Sequence, residues 1–197
     1  MFKTLWMLLL VSLLFNSGSF GLAQAGLRGL SDSSPDTGLA IYLHAIDEPS
    51  LLNSSKERIA DAYRLIWRGF PSGRRVVVRL SVDTDGAATV VAKVTEGGAE
   101  ARLVFEKTDR VTAKDLEKFR EVVTRNNFWA LPSTEVQEPP FPKDGTSWML
   151  EGVHEGVYHA VSRRNPKPGR YTEVGRYLAK DIAKLGDSTL TIPEYTY

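Results

Sequence analysis

Between Ala62 and Lys107 the chain alternates apolar and polar residues along four short runs, each ending in a cluster of turn formers. From Ala62 to Phe70, Tyr63, Leu65 and Trp67 alternate with Arg64, Ile66 and Arg68, and Pro71-Ser72-Gly73 follows. Arg75 to Val82 is a β-branched run closed by Asp83-Thr84-Asp85-Gly86. Ala87 to Thr95 leads to Glu96-Gly97-Gly98, and Ala101 to Lys107 completes the set. A period of two residues sends successive side chains to opposite faces of a pleated strand, and connections this short join only antiparallel neighbours. The spacing predicts a four-stranded meander. Asp83, Asp85 and Gly86 resemble the opening of a calcium loop, but the later carboxylate of such a loop does not follow, so a plain hairpin turn is expected.

Two further β-forming runs, Ser147 to Val153 and Val157 to Arg163, are separated by His154, Glu155 and Gly156. A three-residue loop ending in Gly suits a type I turn closed by a left-handed residue. That register sets Val153 opposite Val157, Gly152 opposite Tyr158, Glu151 opposite His159, Leu150 opposite Ala160 and Trp148 opposite Ser162. One face then carries Trp148, Leu150, Tyr158 and Ala160, and the other Met149, Glu151, Val153, Val157, His159 and Val161. A two-residue Glu155-Gly156 turn would slip the pairing by one and set His159 opposite Gly152.

Elsewhere the period is helical. Thr112, with Asp115 three residues on, caps a helix whose apolar positions are Leu116, Phe119, Val122 and Val123; Asn126-Asn127 ends it, and Phe128, Trp129 and Leu131 follow as core anchors. Tyr171, Val174, Leu178, Ile182 and Leu185 mark a second helix ending at Gly186. Ser54-Ser55-Lys56-Glu57 has capping-box form and predicts a helical turn around Lys56 to Asp61. The order of elements predicts an α+β fold: a single antiparallel sheet of about six strands, a meander plus a C-terminal hairpin, with two helices packed on one face. Val136 to Lys143, with three prolines, reads as an extended loop rimming the other face.

Lys3, an apolar run from Leu5 to Phe15 and the exit Ala23-Gln24-Ala25 have the form of a secretory signal peptide, with cleavage expected after Ala25. The apolar run is short for a membrane span, and none is expected after cleavage. Residues 26–50 read as a flexible tether with one apolar island at Leu39 to Ile46, 51–186 as the α+β domain, and 187–197 as a tail. Export implies a periplasmic or secreted protein. Without Lys3 the chain carries 24 basic and 24 acidic residues, which gives no general electrostatic reason to bind nucleic acid or a lipid surface. It has no cysteine, so disulfides, thiol nucleophiles and Cys-ligated metals are excluded.

Glu151 opposite His159 would supply the minimum for acid-base chemistry, with Arg163 further along the strand as an oxyanion partner. No Ser stands in a nucleophile-elbow setting, and no glycine-rich phosphate loop is present. His154 and His159 with Glu151 or Glu155 match no standard zinc spacing, and neither metal nor cofactor is expected. The expected role is a non-enzymatic binding or inhibitor-like envelope module, with Met149, Glu151, His159, Arg163 and Trp148 facing an envelope protein or a glycan. The alternatives are an acid-base hydrolase using Glu151 and His159, and a purely structural accessory protein.

Tyr63-Arg64-Leu65-Ile66-Trp67-Arg68-Gly69-Phe70 leading into Val76-Val77-Val78-Arg79 forms one part of a wider pattern. Asn127-Phe128-Trp129-Ala130-Leu131-Pro132 forms a second, and Asp144-Gly145, Trp148, Leu150-Glu151-Gly152, Gly156, Tyr158-His159, Val161 and Asn165-Pro166 a third. Together they resemble a family of uncharacterised exported proteobacterial proteins with no established activity. The resemblance implies export and one compact domain, and assigns no catalytic residue. Arg163-Arg164-Asn165 stands where the family is expected to carry an aromatic residue and Ser.

Overall fold

The computed structural model describes residues 35–54, 59–70, 72–97, 101–134 and 145–186. The signal-peptide segment, the start of the tether, the Val136 to Lys143 loop and the tail lie outside the described residues. Six strands form one antiparallel sheet: β1 (Ile59–Phe70), β2 (Arg75–Asp83), β3 (Ala88–Glu96), β4 (Arg102–Val111), β5 (Gly145–His154) and β6 (Val157–Arg164). Their spatial order is β4-β3-β2-β1-β5-β6. The meander thus runs outward from β1, and the late hairpin returns to pair with the free edge of that same strand. Asp83-Thr84-Asp85-Gly86 is the hairpin turn expected, with the Asp85 carboxylate accepting from the Ala87 amide at 2.9 Å.

Among the described residues four α-helices accompany the sheet: α1 (Pro35–Ala45), the short α2 (Leu51–Ser54), α3 (Ala113–Arg125) and α4 (Arg170–Tyr177). The Thr112 hydroxyl accepts from the Asp115 amide at 3.1 Å, so the cap read from sequence starts α3. Leu116, Phe119, Val122 and Val123 face Tyr63, Leu65, Val78, Leu80 and Val90 across the main core. A 3-10 turn at Phe128–Ala130 follows α3, and α4 runs on through a π-helical turn at Leu178–Ile182. Helix α3 and the run of α4 with its π-helical turn pack on one face, as the alternation of β1 requires.

The second face is not left open as the sequence suggested. Leu39, Tyr42 and Leu43 on α1, with Ile46 just after its end, recur at helical spacing and close over Ile66, Val77 and Met149. Leu51 closes over Ala62 and Val153. The island of the expected tether is therefore an integral layer of the fold. The helical turn expected around Lys56 to Asp61 is also displaced: α2 ends at Ser54 and β1 already runs from Ile59, while 55–58 lie outside the described residues. Asp61 is needed in that strand, opposite Val82 on one side and His154 on the other.

The two sheet edges differ. Along β6, the Ser162 amide donates to the Ser133 carbonyl at 2.8 Å, so the segment after the 3-10 turn straps that edge. On β4, Leu103, Val104 and Phe105 are exposed, and a register shift at Val94/Thr95 leaves Val104 as an extra residue. A bulge of this kind twists an edge away from unwanted pairing.

Candidate functional site

The hairpin β5-β6 pairs Gly152 with His159, Glu151 with Ala160 and Trp148 with Arg163. Glu155 and Gly156 both take positive φ, 50° and 74°, and form a two-residue turn whose twist matches the flanking strands. The three-residue loop expected from sequence is therefore wrong by one residue, and the slip turns the whole of β6 over. Glu151 and His159 lie on opposite faces of the sheet. They cannot act as an acid-base pair, nor can the five ligand-binding candidates share one surface.

Glu151 sits on the α1 face beside Met149, Val153 and Tyr158. Its cross-strand neighbour on β1 is Arg64, and the Arg64 Nε donates to Glu151 Oε2 at 2.6 Å with the two side chains only 2 % and 5 % exposed. The Tyr158 hydroxyl donates to the other carboxylate oxygen at 2.8 Å. The Arg64 Nη1 also donates to the Pro49 carbonyl at 2.6 Å. Glu48, just before it, meets Arg79 at 3.0 Å and Lys93 at 3.2 Å, and Lys93 donates to the carbonyls of Ile46 and Asp47. Charges this deeply buried persist only when paired and hydrogen-bonded, and here the pairing clamps the α1-α2 connection onto three strands. Glu151 is a member of that clamp. Its role is structural.

On the opposite face His159 lies against Phe128 and Trp129, with ring centroids 5.2 and 6.0 Å away. Gly152 beneath them cannot be replaced freely, because a Cβ there would stand 2.8 Å from Phe128 and 2.9 Å from Trp129. Burial pushes the His159 imidazole to lower proton affinity, against a smaller opposing effect of the Phe128 and Leu131 carbonyls. Arg163 donates to the Pro132 carbonyl at 2.7 Å and stacks over Tyr171, so it fastens the edge strap. Trp148 is enclosed in the core against Tyr171 and Gly175, with its Nε1 donating to the Thr146 hydroxyl at 3.1 Å. Met149 is half-buried under α1.

The carboxylate-imidazole pair that does form is Asp61 with His154, a pairing that the sequence did not single out. Asp61 Oδ1 lies 2.5 Å from His154 Nδ1, and Arg120 of α3 pairs with Oδ2. Asp61 is buried, whereas His154 and Arg120 are each about half exposed. The contact at Nδ1 leaves Nε2 on the far side of the ring, 4.0 Å from the exposed Glu155 carboxylate. Beside it the half-buried Trp129 ring lies 5.9 Å from His154, wedged by Phe128 and Tyr63. The signal was available: Asp61 shares the core-facing period of Tyr63, Leu65 and Trp67, and a carboxylate in that series needs a partner.

The arrangement offers a partly exposed aromatic face beside the half-exposed His154 imidazole and Arg120 guanidinium, while the Asp61 carboxylate is buried and the His159 Nε2 is enclosed without a hydrogen-bond partner. A shallow concavity of about 340 Å³ lies elsewhere, between the end of α3 and α4, lined by Asn126, Thr172, Glu173, Tyr177 and Asp181. It holds none of the residues above. Among the described residues no helix is long and apolar enough to cross a membrane. No protein-family model matches the chain, and no curated protein matches it.

Proposed function

We propose that the chain is an exported, non-enzymatic binding module that takes a glycan of the cell envelope on the surface formed by Trp129, His154 and His159. The observation that carries this reading is Trp129: a ring packed against Phe128 and Tyr63 over Gly152, partly exposed, with the half-exposed His154 beside it. An aromatic face accepts the C–H surface of a sugar ring, and the His154 imidazole and Arg120 guanidinium suit its hydroxyls. Export rests on the Lys3, Leu5 to Phe15 and Ala23-Gln24-Ala25 pattern. Screening the protein on a glycan array tests the binding reading. Binding by the wild type that is lost in Trp129→Ala and His154→Ala supports it, and binding that survives both changes, or no glycan bound by the folded wild type, rejects it. Fractionation of expressing cells, with the mass of the exported chain, tests cleavage after Ala25.

A second reading is favoured by the Asp61-His154 geometry, in which a buried carboxylate at Nδ1 orients a half-exposed imidazole whose Nε2 lies near the exposed Glu155, an arrangement suited to general acid-base catalysis. Hydrolytic turnover lost in His154→Asn, with glycan binding kept, would select it over a pure binding role. The structural accessory role is left if neither binding nor turnover is found.

A further inference from the structure

At the far end of β1 from Asp61, on the α1 face, one row crosses the sheet: Thr95, Arg75, Arg68, Ser147 and Arg164 are successive cross-strand neighbours. Adjacent strands lie about 5 Å apart, so Arg68 and Arg75 stand side by side with like charge. Their rings of support are aromatic. The Arg68 guanidinium lies 4.2 Å over Phe70, and that of Arg75 lies 4.0 Å over Tyr42, whose hydroxyl is fixed by Thr95 at 3.0 Å. Stacking of this kind fixes the plane of each guanidinium and leaves its N–H edge for an acceptor.

Among the described residues no carboxylate pairs with Arg68, Arg74 or Arg75. The Nε atoms of Arg68 and Arg74 are enclosed without a hydrogen-bond partner. Burial first, and the neighbouring Arg75 second, lower the proton affinity of Arg68. Two half-buried guanidinia placed together without a carboxylate partner among the described residues are unfavourable until an anion joins them.

We propose that Arg68 and Arg75, with the Ser147 hydroxyl beside them, form a binding site for a phosphoryl group. The two stacked guanidinia present paired donors to its oxygens, a match that a planar fork makes better than an ammonium. The same chemistry is offered by a soluble phosphorylated molecule and by a phosphomonoester head group, so two probes are needed.

The test is titration of the protein with inorganic pyrophosphate and, separately, sedimentation with phosphatidylcholine vesicles containing phosphatidic acid. Binding of free pyrophosphate assigns a soluble ligand, and binding of vesicles alone assigns a head group; either supports the site. Arg68→Gln and Arg75→Gln are expected to weaken binding about tenfold or more, since each removes a charge-assisted contact. Ser147→Glu is the sharper variant, because it sets a carboxylate opposite Arg68 and fills the site from within. It is expected to abolish binding while leaving the unfolding temperature unchanged or raised. Arg110→Gln, an exposed arginine on β4, is expected to bind as the wild type does. The proposal is overturned if the folded wild type binds neither probe, if Ser147→Glu binds as well as the wild type, or if Arg110→Gln weakens binding as much as Arg68→Gln.

Discussion

Arg64 and Arg68 stand four residues apart on β1, on the same face of the sheet, each with an arginine on its β2 side: Arg79 beside Arg64, Arg75 beside Arg68. They differ in what β5 sets opposite them. Arg64 meets Glu151 and Arg68 meets Ser147. With Glu48 added from the α1-α2 connection, the first cluster becomes a closed, buried ion-pair network, whereas the second keeps two stacked guanidinia without a described carboxylate partner. The same strand geometry therefore gives a structural clamp where a carboxylate is supplied within the chain, and an acceptor site where it is not. Which outcome follows is decided by one side chain on the neighbouring strand.

The largest effect should come from opening the clamp. Glu151→Ala strands the Arg64 guanidinium in the interior and is expected to lose about 3–5 kcal/mol in urea unfolding. Arg68→Gln should change stability by less than about 0.5 kcal/mol; equal losses at the two positions would break the comparison. Replacing both partners, Arg64→Met with Glu151→Leu, is expected to recover most of that loss, with a coupling energy of at least about 2 kcal/mol in the double-mutant cycle. The register that brings Glu151 to this face depends on the turn, in which Glu155 holds an unfavourable positive φ. Glu155→Asn should add roughly 0.5–1 kcal/mol. A smaller effect belongs to His159, whose proton affinity is lowered by burial. The unfolded chain then binds a proton before the native one does, so stability contributed above pH of about 6.5 is lost as the pH falls below it. Melting curves at falling pH should show that loss in the wild type and a weaker one in His159→Asn.

Much of the architecture could be read from short-range pattern. The alternation of Tyr63, Leu65 and Trp67 fixed the buried face of β1, and the Thr112 cap with Leu116, Phe119, Val122 and Val123 fixed α3, because both signals are complete within a few residues. The hairpin was misplaced by one residue because Gly156 can close either a two- or a three-residue loop, and the two differ only in backbone twist. That single ambiguity reassigned His159, Arg163 and Tyr158 to the other face. Helix α1 was hidden by the Gly, Ser, Asp and Pro around it, although Leu39, Tyr42, Leu43 and Ile46 carry the helical period. The clamp was out of reach for another reason: its members are spread over α1-α2, β1, β2, β3 and β5 and meet only through the strand order, which local pattern does not contain.

Glu48 gives the fold a sense of sequence in time. Its cationic partners, Arg79, Lys93 and the more distant Arg64, come from three different strands, so the seat for its carboxylate exists only after β1, β2 and β3 have paired. The earliest part of the described chain thus finds its full set of ion-pair partners only on the assembled sheet. Its three cationic partners meet at one carboxylate only where the centre of the sheet is paired in this register.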